Sequence, residues 1–258
     1  MIKTRTTLVS FFILAIFTCL NSVSLASDLA KEARWREQVV DAILDGEVVD
    51  LNDGDNDFLG IYTEGSNGHK KGLIIMHGIG VHPDHPAVIN PLRVGLSEKG
   101  WSTLSIQLPV LPNEATSRDY APLIPEAAPR IQAAIDFLKK AGNKKIILVA
   151  HSLGTVMASY ALASNKVSVD AFVAIGMGSG VDKLKAIDIP VLDIYGSQDQ
   201  DNVLDSAARR LAASEHNMRY TQIMTRDADH FFNDQEEELI ELIDEWLRSC
   251  KSLKVDSQ

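Results

Sequence analysis

The residue whose setting most suggests chemistry is Ser152. It directly follows an apolar run typical of a buried strand, Ile146–Ala150, and precedes a helix-like segment. A serine on such a strand-to-helix turn projects its hydroxyl above the sheet edge, and the helix amino terminus offers N–H groups to developing negative charge. Small residues two before and two after it, Ala150 and Gly154, let strand and helix approach closely. A serine can also simply cap a helix, but the preceding apolar strand favours a nucleophile.

A nucleophilic serine needs a base, and the base needs a group that orients it. Asp199 follows the strand-like run that ends at Tyr195, and His230 follows the one that ends near Thr225. The order Ser152, Asp199, His230 puts all three beyond the carboxyl ends of predicted parallel strands, where catalytic groups collect. We therefore predict that these three residues form a catalytic triad.

Each partner of the serine also has a plainer interpretation. Asp199 could cap the following helix, and His230 could be a buried, hydrogen-bonded ring. Three more acids compete with Asp199 for the orienting role: Asp201, Asp227 and Asp229. The common position of the three predicted residues at one sheet edge favours the triad over three unrelated roles.

A glycine-rich turn follows another predicted strand and carries His77, Gly78 and Gly80. Glycines there let backbone N–H groups turn into the site. We predict that the N–H groups of Ile79 and Leu153 form an oxyanion hole, with His77, Gly78 and Gly80 as its supporting loop.

Four side chains near this turn have metal-binding chemistry: His77, His82, Asp84 and His85. Their spacing differs from that of a helix-borne pair of ligands, and the prolines between them indicate an irregular loop, so we predict no metal site. The nearest approach to a dinucleotide fingerprint is 176–180, where Val181 stands in place of the third glycine. We predict no cofactor.

Short apolar runs alternate with amphipathic segments along most of the chain, which is typical of parallel strands covered by helices on both faces. Predicted strands fall at 48–51, 58–62, 72–76, 101–108, 146–150, 171–176, 191–195 and 220–225. Predicted helices fall at 28–45, 88–99, 129–140, 155–164, 204–214 and from 236 onward. The fold class is therefore α/β, a doubly wound and mostly parallel sheet behind an N-terminal helix and β-hairpin, in one domain over 27–258.

The amino terminus has the features of an export signal. Lys3 and Arg5 precede an uncharged apolar run, Leu8–Leu20, and small residues at Ser24 and Ala26 suit signal peptidase. The run is shorter than the roughly 18–20 residues that span a bilayer, which argues against an uncleaved anchor. We predict a signal peptide over 1–26, cleavage after Ala26, a periplasmic or secreted protein, and no stable membrane insertion after cleavage.

Composition excludes several classes of protein. Acidic residues outnumber basic ones by 35 to 25, so the chain would repel phosphate backbones and we predict no nucleic-acid partner. Sixteen glycines and nine prolines are ordinary counts, which excludes collagen-like and low-complexity chains. The expected partner is a small ester-like molecule.

Four motifs together resemble the α/β-hydrolase superfamily: H-G-x-G (77–80), A-H-S-L-G (150–154), G-S-Q-D (196–199) and D-H (229–230). The stretch 77–93, with 100–112, more narrowly resembles a family of exported bacterial α/β-hydrolases. The resemblance covers roughly 60–250 and implies an acyl-enzyme mechanism in which Ser152 attacks, His230 takes its proton and Asp199 orients the imidazole.

The resemblance also bears on access to the site. Many superfamily members insert a lid after the strand predicted at 171–176, but only 14 residues (177–190) precede the next strand here, so we predict no large lid. We expect the Pro-rich segment 109–125 to face the substrate. The predicted function is a carboxylesterase-type serine hydrolase. The alternatives are a non-catalytic binding module of the cell envelope, or a peptidase, thioesterase or acyltransferase on the same triad.

Overall fold

A computed structural model describes residues 27–66 and 70–254, so the predicted signal peptide lies outside the described residues. Eight strands form one sheet in the order β1-β2-β4-β3-β5-β6-β7-β8. Strands β3 to β8 pair in parallel, while β2 pairs antiparallel with both β1 and β4. The strands are β1 Glu47–Asn52, β2 Asp57–Thr63, β3 Lys71–Met76, β4 Ser102–Ile106, β5 Lys145–His151, β6 Ala171–Ile175, β7 Val191–Gln198 and β8 Tyr220–Asp229.

Helices cover both faces of this sheet, which confirms the predicted doubly wound, mostly parallel α/β architecture. The helices are α1 Leu29–Ala42, α2 Ile89–Glu98, α3 Ala127–Lys140, α4 Leu153–Ala163, α5 Asp201–Ala213 and α6 Glu236–Ser249. Helices α3 and α4 pack into the core on one face, and α2 and α6 into the core on the other. Within the described ranges, every helix is too short or too polar to cross a membrane.

The central strands are apolar throughout because alternate side chains enter opposite cores. In β3, Ile74 and Met76 belong to one core and Leu73 and Ile75 to the other, and all four are fully buried. A continuous apolar run therefore marks a strand with two covered faces, as expected for parallel sheets. The predicted N-terminal helix and β-hairpin are also present, and Val39 of α1 packs on Leu59 and Ile61 of β2.

Several boundaries differ from the sequence prediction. β7 and β8 run three and four residues further, to Gln198 and Asp229, across a register shift between Gly196 and Gln198. Local apolar patterning ends earlier because these strand ends carry polar residues at the sheet edge. Helix α4 begins two residues earlier than predicted, at Leu153.

The Pro-rich segment 109–125, which was predicted to face the substrate, is mostly exposed and packs into the protein at a few positions. Leu111, Tyr120 and Leu123 are buried, and a 3₁₀ helix runs over Ala121–Glu126. Of this segment, Ser117 reaches the cleft described below.

Candidate active site

Ser152 occupies the turn between β5 and α4 in a backbone conformation that L residues avoid, with φ 52° and ψ −120°. Such a conformation costs about 1–3 kcal/mol and persists only where the surrounding structure enforces it. Here the Ser152 N–H donates to the carbonyl of Ile175 at 2.8 Å, and its carbonyl accepts from Thr155. Ser152 is the N-cap residue of α4, but its hydroxyl is directed towards an imidazole and makes no capping hydrogen bond to the helix N–H groups.

The imidazole belongs to His230, the residue that follows β8. Its Nε2 lies 3.0 Å from Oγ of Ser152, and its Nδ1 lies 2.6 Å from Oδ1 of Asp199. Asp199 is 5% exposed and His230 is 6% exposed, so little water competes for this chain of contacts. The structure thus brings together the serine, histidine and aspartate that the sequence analysis selected.

The three competing acids lie elsewhere. Asp201 is exposed at the start of α5. Asp227 is exposed and pairs with Arg226, while Asp229 accepts hydrogen bonds from the N–H of Phe231 and from Asn233. Asp199 therefore holds the position beside the imidazole.

Three glycines allow the parts of the site to approach one another. A Cβ at Gly154 would lie 2.7 Å from the carbonyl oxygen of His77, so α4 could not pack against the end of β3 with a larger residue there. Gly176, with φ +62°, lies beneath the imidazole of His230. Gly78 lies beside Ser152, because a Cβ there would be 3.2 Å from the serine Cβ.

The predicted oxyanion donors belong to two different segments beside Ser152. Leu153 is the first residue of α4, whose N–H belongs to the helix end that faces the site, and Ile79 belongs to the glycine-rich turn after β3. Gly78 and Gly80 flank Ile79, and Gly80 adopts φ +68°. Both Ile79 and Leu153 line the same cleft as Ser152.

Buried His77 anchors this turn. The N–H of Leu108 donates to its Nε2 at 2.9 Å, which leaves the proton on Nδ1 to donate to the Gly78 carbonyl at 2.8 Å. Burial lowers the pKa of His77 to about 3, so the ring stays neutral and keeps this tautomer. The side-chain amide of Gln107 also contacts Nε2, at 3.0 Å.

Sequence reasoning missed three residues that support the site. His151 precedes the serine, and its Nε2 contacts the carbonyl oxygen of His230 at 2.9 Å. Burial, with the neighbouring His230, lowers the pKa of His151 to about 4, so a neutral ring donates this bond. The Tyr120 hydroxyl accepts from the N–H of Leu111 at 2.9 Å and lies near the backbone of Gly80. The third supporting residue is Gln107, whose side-chain amide contacts His77.

A cleft of about 240 Å³ opens onto Ser152 and His230. This is slightly smaller than ordinary small-molecule pockets, which occupy roughly 300–1,000 Å³. Its apolar lining comes from Val81, Val88, Ile89, Val156 and Val203, and its polar lining from Ser117, Ser179, Gln200 and Asn202. The segment 176–190, which joins β6 to β7, forms a short 3₁₀ helix and contains no lid domain.

Among residues 27–66 and 70–254, no three His, Cys, Asp or Glu side chains are arranged to hold a metal ion. The residues with metal-binding chemistry near the glycine-rich turn have other contacts. The Asp84 carboxylate pairs with Arg93 at 2.7 Å, and His82 packs between Trp35 and His85. His85 also reaches the cleft wall.

Comparison with known families matches the chain to one family model. A profile of the family described as "Protein of unknown function (DUF3530)" matches residues 28–129 and 124–249. The chain belongs to this family. The first match contains the glycine-rich turn and the second contains Ser152, Asp199 and His230. A search of curated proteins finds no significant match.

Solved structures share the fold, which is that of the α/β-hydrolase superfamily. The esterase Pf2001 of Pyrococcus furiosus matches with a TM-score of 0.66 at 18% identity, covering 81% of this chain and 94% of that one. A dienelactone hydrolase from Anabaena variabilis matches with a TM-score of 0.64 at 22% identity, covering 79% and 97%. XC6422 of Xanthomonas campestris, described as a serine hydrolase without lid, matches with a TM-score of 0.62 at 16% identity, covering 80% and 95%.

Proposed function

We propose that the protein is an exported serine hydrolase of the carboxylesterase type, with Ser152 as nucleophile, His230 as general base and Asp199 as the group that orients it. The observation that carries this proposal is the continuous contact from the Ser152 hydroxyl through His230 to Asp199, at 3.0 and 2.6 Å. The strained backbone of Ser152 adds support, because such strain clusters at functional sites. Esterases and hydrolases among the structural neighbours agree with this class.

The proposed reaction follows from these positions. Nε2 of His230 removes the hydroxyl proton as Oγ of Ser152 bonds to the ester carbon, while Nδ1–H donates to the carboxylate of Asp199. The N–H groups of Ile79 and Leu153 stabilise the oxyanion. His230 then returns the proton to the departing alcohol, and the acyl-enzyme forms. Water activated by the same imidazole releases the acid and restores Ser152.

The cleft favours a small, uncharged acyl group. Its volume is about 240 Å³, and the side chains that line it are aliphatic, hydroxyl, amide, imidazole and phenyl groups. We therefore expect kcat/KM on 4-nitrophenyl esters to be highest between acetate and butyrate and to fall for decanoate. A maximum at octanoate or beyond would contradict this substrate range.

Export is the other part of the proposal, and it rests on the basic start, apolar run and small-residue junction of residues 1–26. The first residue after that junction is Ser27. Intact mass of the protein recovered from the periplasm or medium would test it, with a chain beginning at Ser27 as the expected result.

The decisive experiment for catalysis is labelling with a fluorophosphonate, followed by intact mass. We expect one adduct on the parent and none on Ser152→Ala. Ser179→Ala is the matched control, since Ser179 lines the same cleft, and it should still be labelled. A folded parent that takes up no label would favour the non-catalytic binding module. Amide and thioester substrates tested in parallel would distinguish a peptidase or thioesterase from an esterase.

A further inference from the structure

Ser27, the first residue after the proposed cleavage point, is held in place by residues from three other parts of the fold. Its hydroxyl accepts from the N–H of Val110 at 2.8 Å and contacts the carboxylate of Glu32. Its backbone lies beside the carboxylate of Glu126, the residue that directly precedes α3, in a shared recess. The amino end of the proposed mature chain therefore has a defined position beside two carboxylates.

These carboxylates belong to a cluster in which three acidic side chains surround one guanidinium group. Arg130 pairs with Glu32 at 2.9 Å and with Asp53 at 3.2 Å, and the guanidinium is 2% exposed. Glu126 adds a third carboxylate beside this single cation. Burial raises the pKa of both Glu32 and Glu126, against the opposing effect of Arg130.

A recess of about 280 Å³ lies beside Ser27 and provides room at the same point. Its polar lining includes Asp53, Asp55, Glu126 and Arg130. A peptide nitrogen at Ser27 offers this cluster one uncharged donor. A free amino terminus would offer three N–H donors and a full positive charge.

We propose that removal of residues 1–26 creates a ligand for this cluster, and that the α-ammonium group of Ser27 binds between Glu126 and Glu32 as a structural ion pair of the mature protein. The inference rests on the export signal in the proposed function and not on the chemistry of Ser152. Removal of the signal peptide would then stabilise the fold as well as release the mature protein.

The pH dependence follows from the groups that face the amine. They are Glu32 from α1, Asp53 and Asp55 from the β1–β2 turn, Glu126 directly before α3 and Arg130 within it, while Asp28 and Lys31 lie nearby at the start of α1. Lys31 donates to the carbonyl of Leu111 at 2.8 Å. The neighbouring carboxylates raise the pKa of the folded amine above the value of about 8 in unfolded chains. The stabilisation is therefore largest below about pH 8, and it is lost as pH rises through the folded pKa of the amine or falls through the raised pKa values of Glu32 and Glu126.

The test compares two chains that differ by one residue, one beginning at Ser27 and the other at Ala26. Both carry one α-amino group, but in the second it is displaced by about 3.8 Å of backbone. At pH 6.5 we expect the Ser27 chain to melt about 2–4 °C higher, the shift for one such interaction in a domain of this size. At pH 10.5 the difference should disappear.

Substitutions of the acidic side chains test whether the difference in melting temperature depends on the carboxylates beside Ser27. In Glu126→Gln the difference between the two chains should fall to less than half, whereas Asp136→Asn, which changes an exposed acid on the same helix, should leave it intact. Equal melting at pH 6.5, or a difference unaffected by Glu126→Gln, would overturn the proposal. Repeating the comparison with Ser152→Ala keeps it independent of catalysis, because an inactive chain should show the same difference.

Discussion

Gly176 lies so close beneath the imidazole of His230 that a Cβ atom at this position would be 2.9 Å from Cε1 and 3.0 Å from Nδ1. Gly176→Ala should therefore push the ring away from Ser152. We expect kcat/KM on a short ester to fall at least about 100-fold, since a misplacement of about 1 Å can have that effect. Steady-state kinetics, together with the rate of fluorophosphonate labelling, would measure the loss.

Gly142→Ala is the matched control for backbone strain. Gly142 has φ +90°, and among the described residues nothing lies within 4 Å of an added Cβ. Both variants should lose some stability, but Gly142→Ala should keep its activity. Similar activity losses in the two would mean that strain, and not contact with His230, is responsible.

The role of Asp199 can be separated from that of its neighbours by amide substitutions. Asp199→Asn should lower kcat by about 10³–10⁴-fold, because an amide favours the wrong imidazole tautomer. Asp229→Asn should retain most of the activity, since its carboxylate holds the turn at Asn233 rather than the ring. A larger loss of kcat in Asp229→Asn than in Asp199→Asn would contradict this assignment.

The conformation of Ser152 predicts a gain in stability when the serine is replaced by glycine. Ser152→Gly and Ser152→Ala should both be inactive, but glycine accepts φ 52° and ψ −120° more readily. We expect Ser152→Gly to melt about 2–4 °C above Ser152→Ala. Ala158→Gly, within the following helix α4, should instead lower the melting temperature, which controls for a general effect of glycine.

His151 should make stability fall in acid. Its pKa is lowered to about 4 by burial, so the unfolded chain, with an ordinary value near 6.5, binds the proton first. Stability therefore decreases as pH falls from about 6.5 to 4. In His151→Gln, which keeps an N–H donor but does not titrate, this decrease should be smaller by about 3 kcal/mol. Chemical denaturation at several pH values would measure it, and parallel curves for the two proteins would contradict the interpretation.

Much of the fold could be predicted because its signals are local. Strands β3 and β5 are continuous apolar runs bounded by polar residues, and α3 has a regular apolar face. The positions of Ser152, Asp199 and His230 could also be predicted, because each follows a strand and parallel strands end at one edge.

Other parts of the site could not be predicted, since they depend on contacts between distant segments. The bond from Leu108 that fixes the tautomer of His77 spans 31 residues, and the bond from His151 to His230 spans 79. Gly176 belongs to a glycine-rich run whose sequence indicates only a turn. Its closeness to His230 appears once β6 and β8 are placed on either side of β7.

Ser152, Asp199 and His230 directly follow β5, β7 and β8, and this order along the chain has a consequence for biosynthesis. Ser152 is synthesised before its imidazole partner, which comes 78 residues later, directly after β8. A growing chain therefore holds an ordinary serine until β8 has paired with β7. The proposed nucleophile becomes reactive only when the sheet is complete. The onset of fluorophosphonate labelling would therefore measure when the last strand pairs during folding.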